Sequence, residues 1–158
     1  MLMNVLILSI ANSKLQNFNY PDVKNLTHCD NLEFDLLGEN GQKVALFIII
    51  PAQDTSYNFL AAMMYTQLFD VLYKRALSKP TKRFPVHVRF ILDEFANVGT
   101  IPDFDKLITT MRSIGISSNV ILQSLSQLKK MYEDSWEPIM AGCDSFLFLG
   151  GQDETTLK

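Results

Sequence analysis

Two adjacent acids carry the sharpest chemical signal in the chain. Asp93 and Glu94 follow directly on the apolar run 86–92, VHVRFIL. If that run is a strand of a parallel sheet, both carboxylates stand at its carboxyl end, where open α/β sheets bind their ligands. Two carboxylates so close are costly unless a cation or water satisfies them. The first suits a divalent cation held through water, and the second suits orienting and deprotonating an attacking water. The competing reading is that the pair caps the following turn, and strand-then-Asp-Glu pairs are common enough to keep that reading open.

Two further polar residues fall where such chemistry would use them. In P-loop ATPases a strand ending in Asp-Glu is the Walker B element, in which the Asp serves magnesium and the Glu the attacking water. Gln123 ends a predicted strand, the place where such enzymes sense the terminal phosphate. Arg112 lies 18 residues beyond Glu94, at the end of a predicted helix. Each has a plainer reading: Gln123 as an amide bonded to backbone, Arg112 as a cation favoured by a helix C-terminus.

The elements that must position these residues alternate in type. Apolar spacing at Val5, Leu8, Ala11 and Leu15 predicts a helix over 2–17. A turn-rich stretch follows, with a short strand possible at 32–34. The run 43–50, ending VALFIII between Gly41 and Pro51, reads as a strand buried on both faces. After Pro51, the polar residues Asp54, Thr55 and Ser56 supply caps for a helix whose apolar face is marked by Phe59, Met63, Leu68 and Leu72. Strands are predicted at 86–92, 120–122 and 145–149, with helices over 102–113, stopped by Gly115, and 125–132. Short apolar strands alternating with helices predict an α/β domain, a mostly parallel sheet with helices on both faces, over 1–158 as a single unit.

Length and composition narrow the function classes. The chain has 158 residues, enough for one domain with a core. A net charge of −3 argues against a surface that wraps nucleic acid as a whole. Five cations, Lys74, Arg75, Lys79, Lys82 and Arg83, fall within ten residues and read either as phosphate contacts or as a solvated helix end. Two cysteines and two histidines without CxxC spacing exclude a disulfide framework and a Cys/His zinc site, and the cysteines read as buried, reduced thiols. The N-terminal run MLMNVLILSIA is about eleven residues, against roughly twenty for a spanning helix, and it lacks the basic flank of a signal peptide. It reads instead as a core helix of a chain cut from something larger. Trp136 reads as a packing anchor near a helix end, His87 as a side chain on a packed face, and Met63, Met64 and Met111 as core filler. Asp153 and Glu154 read as a helix start without a catalytic role.

The string LDEFANVGTIPDFDKLITTMRSIGISSNVILQSLSQLKKMY, followed by AGCDSFLFLGGQDETT, resembles the conjugative coupling proteins of type IV secretion systems, the TraG/TraD group. KVALFIIIP and YNFLAAMMYTQLFDVLYKRA look like the preceding strand and helix of its Gram-positive members. The resemblance implies a RecA-like P-loop motor that uses ATP and Mg2+. It implies a homo-hexamer at the cytoplasmic face of the cell membrane, recruiting relaxase–DNA to the secretion channel. By resemblance Asp93 serves magnesium, Glu94 is the catalytic base, Gln123 the polar sensor, and Arg112 an arginine finger reaching the neighbouring subunit. The stretch from Val86 onward also resembles the family's docking segment for the relaxosome protein TraM. A non-catalytic docking module for a relaxosome or effector protein is the alternative function.

One departure from the family is plain. A P-loop needs G-x-x-x-x-G-K-[S/T], whose amides and lysine cradle the phosphates. The 158 residues contain no such string; Gly38 and Gly41 are too close together, and Lys43 is followed by neither Ser nor Thr. The chain is therefore expected to be a soluble C-terminal part of the motor, its P-loop strand missing, and to bind nucleotide weakly at most. In RecA-like sheets that strand lies between the predicted strands 120–122 and 145–149, so a rearranged sheet or self-association through an open edge is expected. The 158-residue chain is expected to show no appreciable ATP hydrolysis in a phosphate-release assay; a robust rate abolished by Glu94→Gln is the contrary outcome.

Overall fold

The structure, a computed structural model, describes residues 15–41, 43–51 and 55–150. It divides into two compact units, 1–33 and 34–158. In the first, a 3-10 turn (Gln16–Asn19) precedes helix α1 (Pro21–Thr27), which has Pro21 in its first turn, where the missing amide hydrogen is not needed. The helix predicted over 2–17 falls almost wholly outside the described residues.

The second unit contains, in order, helix α2 (Asn58–Ser78), strand β1 (Val88–Leu92), helix α3 (Phe104–Thr110), strand β2 (Ile116–Val120), helix α4 (Leu125–Met131) and helix α5 (Trp136–Ala141). β1 and β2 pair in parallel, Val88 opposite Ile116 through Leu92 opposite Val120. β1 alternates strictly. Val88, Phe90 and Leu92 face the core, while Arg89 and Ile91 face outward. The inward face packs on the stripe of α2 made by Tyr65, Leu68, Phe69, Leu72 and Ala76, at helical spacing. Phe69 stacks on Phe90 with ring centroids 4.7 Å apart.

Several elements differ from expectation, each for a physical reason. The buried stripe of α2 runs through Tyr65 and Phe69, which share the face of Leu68 and Leu72; Met63 lies off it and is exposed. The helix starts after Tyr57 without a side-chain cap, behind a 3-10 turn at Thr55–Tyr57, and Asp54 lies outside the described residues. Residues 34–36 form a 3-10 turn in place of a strand at 32–34. β2 lies at 116–120 rather than 120–122. Its sequence ISSNV hides it, because Ser117 and Asn119 sit on the open side of the sheet. Helix α5 was not foreseen. α3 and the 3-10 turn Met111–Ile114 do end at Gly115, as expected, with φ +86°.

Two apolar runs join no ladder among the described residues. In 43–50, Leu46, Ile48 and Ile50 pack against the core, whereas Phe47 and Ile49 point outward at 87% and 93% exposure. Leu147 and Leu149 are 84% and 88% exposed. The expected strands at 43–50 and 145–149, and burial of the first on both faces, are thus corrected. A parallel strand needs neighbours at its edges and cover on its faces, and these segments have neither in full. The architecture is α/β around a small parallel sheet whose Arg89, Ile91 and Asn119 face is open among the described residues. Among the described residues the sheet has two strands, and a RecA-like sheet with helices on both faces is not shown. Cys29 is exposed and Cys143 half-buried, both free, which corrects the expectation of buried thiols. No helix among the described residues is long and apolar enough to cross a membrane.

The segment before residue 43 is tied down at two consecutive residues. Glu39 accepts hydrogen bonds from Arg75 Nη2 (2.7 Å) and Lys79 Nζ (2.9 Å). Gly38 has φ +77°, its carbonyl accepts from the Val86 amide at 3.2 Å, and a Cβ there would stand 2.5 Å from Phe84 Cδ1. Gly38→Ala is therefore expected to lower stability by about 1–3 kcal/mol in a chemical-denaturation experiment. The Lys79 and Arg75 hydrogen bonds hold the Glu39 carboxyl below its ordinary value. A depressed carboxyl contributes stability above its unfolded pKa and loses it as pH falls through the folded value. Glu39→Gln is expected to lower the unfolding free energy at pH 7 by less than about 1 kcal/mol in this part-exposed cluster, read by chemical denaturation. The gap to wild type should close below about pH 4.

Candidate functional site

The site is built where β1 and β2 end side by side. The strand pairing continues past both formal ends: the Ile121 amide donates to Leu92 O at 3.0 Å, and the Phe95 amide to Ile121 O at 3.1 Å. Between Leu92 and Phe95 stand Asp93 and Glu94, both exposed. Leu92 and Phe95 must both enter the core, and they are an odd number of residues apart. A strand that continued straight would point Phe95 outward. The chain solves this with a left-handed Glu94, φ 48° and ψ 48°. Phe95 then turns inward with no exposed surface, 4.9 Å from the Phe104 ring and stacked 6.0 Å from Tyr132. Asp93 Oδ1 accepts the Glu94 amide hydrogen at 3.1 Å, which steadies the turn.

Across the rim, Gln123 Nε2 donates to both carboxylate oxygens of Glu94, at 2.8 and 3.0 Å. The structure thus brings Asp93, Glu94 and Gln123 together. Gln123 is exposed and holds a carboxylate, unlike the buried, backbone-bonded amide of the plainer reading. Its own amide hydrogen is accepted by Gln127 Oε1 at 3.0 Å. Gln127 was missed in the sequence, although Ser124-x-x-Gln127 has capping-box spacing at the start of α4. Tyr132 was also missed. Its hydroxyl accepts from the Ile101 amide at 3.0 Å, and burial pushes its phenol up to about 12. It holds the loop that follows the acids.

Arg112 is not part of this cluster. It stands in the last turn before Gly115, highly exposed, and its nearest acid is Asp144, 3.7 Å away and equally exposed. The basic run is largely spent within the fold. Lys74 pairs with Asp70, Arg75 and Lys79 with Glu39, and Lys82 donates to Leu77 O. His87, expected on a packed face, is exposed and hydrogen-bonded through Nε2 to Ser117 Oγ at 2.8 Å. Trp136 opens α5, part-buried against the core, with Lys129 Nζ 4.4 Å from its ring centre. Asp153 and Glu154 lie outside the described residues. A cleft of about 350 Å³ opens elsewhere, bordered by Asp103, Asp105, Glu133 and Asp134, and no member of the Asp93–Glu94–Gln123 cluster lines it.

Chemically, the rim offers one exposed carboxylate beside another that is oriented by an amide. Among the described residues, no group of three or more His, Cys, Asp or Glu could hold a metal ion. The donor set fits a hard cation that keeps most of its waters and takes one carboxylate, as magnesium does with a phosphate substrate. It does not by itself fit a triphosphate, since no phosphate-cradling glycine string is present.

Residues 87–158 match the family model described as the TraM recognition site of TraD and TraG. That stretch is similar to the C-terminal region of the TraG/TraD group. No curated protein and no solved structure matches the chain.

The Glu94–Gln123 contact is solvent-exposed, so its contribution to stability is about 1 kcal/mol or less. A left-handed non-glycine residue costs about 1–2 kcal/mol. The arrangement therefore orients a carboxylate at no net gain in stability, whereas Phe95 stabilises the fold. Phe95→Ala is expected to destabilise by about 3–5 kcal/mol. Glu94→Gly, which relieves the left-handed strain, is expected to leave the denaturation midpoint unchanged or raised. A marked loss of stability in Glu94→Gly would show that the carboxylate is structural.

Proposed function

We propose that this chain, TraG/TraD-like over 87–158, is the C-terminal part of the motor of a conjugative coupling ATPase that hands relaxase–DNA to a type IV secretion channel. The observation that carries the reading is the Asp93–Glu94 doublet at the ends of two parallel strands, with Gln123 across the rim. In this reading Asp93 holds magnesium through water. Magnesium supplies charge neutralisation at the phosphates when nucleotide is bound. Glu94 takes the proton of the attacking water, and Gln123 orients Glu94 from the neighbouring strand. Arg112, free of any strong partner in its own fold, suits a nucleotide held by an adjacent copy, as an arginine finger in a homo-hexamer does. The phosphate cradle would come from residues other than these 158. DNA, relaxase and attachment at the cytoplasmic face of the membrane belong to the same proposal.

A second reading has its own support. The description of the matched family concerns TraM recognition, and the chain has no phosphate-binding string. On that reading the chain docks a relaxosome protein without using nucleotide. The two readings separate in one set of measurements. In the assembled coupling protein, Glu94→Gln is expected to lower ATP hydrolysis by at least about 100-fold. Capture of a TraM-type protein by the 158-residue chain is expected to be independent of Mg-ATP and untouched by Glu94→Gln. Full hydrolysis by the Glu94→Gln assembly would overturn the motor reading and leave docking standing.

A further inference from the structure

We propose that Gln127 is a positioning residue that fixes Gln123, and through it Glu94. This deepens the motor reading, since it rests on Glu94 as the base. Gln123 stands at the point where β2 has ended and α4 has not begun, so neither ladder nor helix would hold its backbone. Gln127, one helical turn further on, takes the Gln123 amide hydrogen on Oε1 at 3.0 Å. The usual capping box reaches back to the first capping residue, here Ser124. In this chain the glutamine reaches one residue further, and Ser124 Oγ pairs with Ser126 Oγ at 2.6 Å instead. The effect is to clamp the residue that faces the acid rather than the helix start.

The clamp matters because Gln123 is an exposed side chain with several rotatable bonds. Exposed long side chains lose considerable freedom when held, and one amide–carboxylate contact in water does not offset that loss by much. With the backbone at Gln123 already fixed, fewer torsions remain to be ordered. The amide then bridges both oxygens of Glu94, at 2.8 and 3.0 Å. Gln127 is part-buried and does not itself touch the carboxylate, so it acts through Gln123.

The test uses the 158-residue chain and nuclear magnetic resonance of the Gln123 side-chain NH2 group. Its proton exchange is expected to be slower than that of Gln67, an exposed glutamine on α2. Glu94→Ala should bring Gln123 to the Gln67 rate, which identifies the contact. Gln127→Leu should do the same, an acceleration of roughly 3-fold or more, while backbone protection in β1 and α2 is unchanged. Gln127→Glu retains an acceptor and should keep the slow rate. The proposal is overturned if Gln127→Leu leaves Gln123 slow, or if Gln127→Glu releases it as fully as Glu94→Ala does. Should Gln127→Leu fail to fold, Gln127→Met supplies the same loss of acceptor with an unbranched chain. No arm involves nucleotide, so the clamp can fail while the motor reading stands. Conversely, hydrolysis that survives Glu94→Gln would defeat the motor reading with the clamp intact.

Discussion

The burial of Phe95 is the constraint from which the rim takes its shape. Its ring lies among Phe104 and Tyr132 with no surface left to water. Burying a phenylalanine contributes roughly 2–3 kcal/mol, more than the left-handed turn before it costs. The aromatic residue thus dictates the conformation of the acid. Once Glu94 is turned, its carboxylate stands at the strand ends rather than continuing the alternation of β1, and Gln123 on the adjacent chain end can reach it.

The same logic explains why one face of the sheet is covered and the other is open. The core is closed on one side by α2, whose Phe69 and Tyr65 lie against Phe90. On the other side Arg89, Ile91 and Asn119 meet solvent. Two apolar segments, 43–50 and 145–149, join no ladder among the described residues. One still alternates: Leu46, Ile48 and Ile50 are held by the core while Phe47 and Ile49 are not. A segment that keeps one face packed and exposes the other is half-way to being a strand. Completing it needs edge partners as well as cover, and open apolar edges of this kind favour pairing with further chain.

How far this could be read from sequence follows from what each signal measures. The acid doublet and its strand were legible because VHVRFIL combines β-branched content with an abrupt charged end. The pairing of Glu94 with Gln123 was not legible, since which atoms meet depends on register, and β2 was hidden by its serines and asparagine. Ser117 and Asn119 occur in a strand because the face they occupy is open, while Ser118 sits on the covered face opposite Phe90, facts about tertiary structure that no local pattern holds. The strands at 43–50 and 145–149 were misread in the opposite sense. Their composition reports a preference for burial on both faces, and composition cannot report whether the covering elements are present. Gln127 was within reach through its spacing from Ser124, which has the form of a capping box.

The distribution of charge bears on what the chain can recognise. Cations clustered in sequence are a poor guide to a phosphate-binding surface once their partners are known. Glu39 occupies two of them, Asp70 a third, and a backbone carbonyl a fourth. Arg112 differs. Its partner is distant and both groups are above 80% exposed, so the pair restrains it little. An arginine in the last turn of a helix is favoured by the dipole and needs no further justification for stability. It can therefore be given up to another partner at small cost, whereas Arg75 or Lys79 cannot leave Glu39 without loosening the segment held by Gly38. Arg112, unlike Arg75 and Lys79, is free to work between molecules.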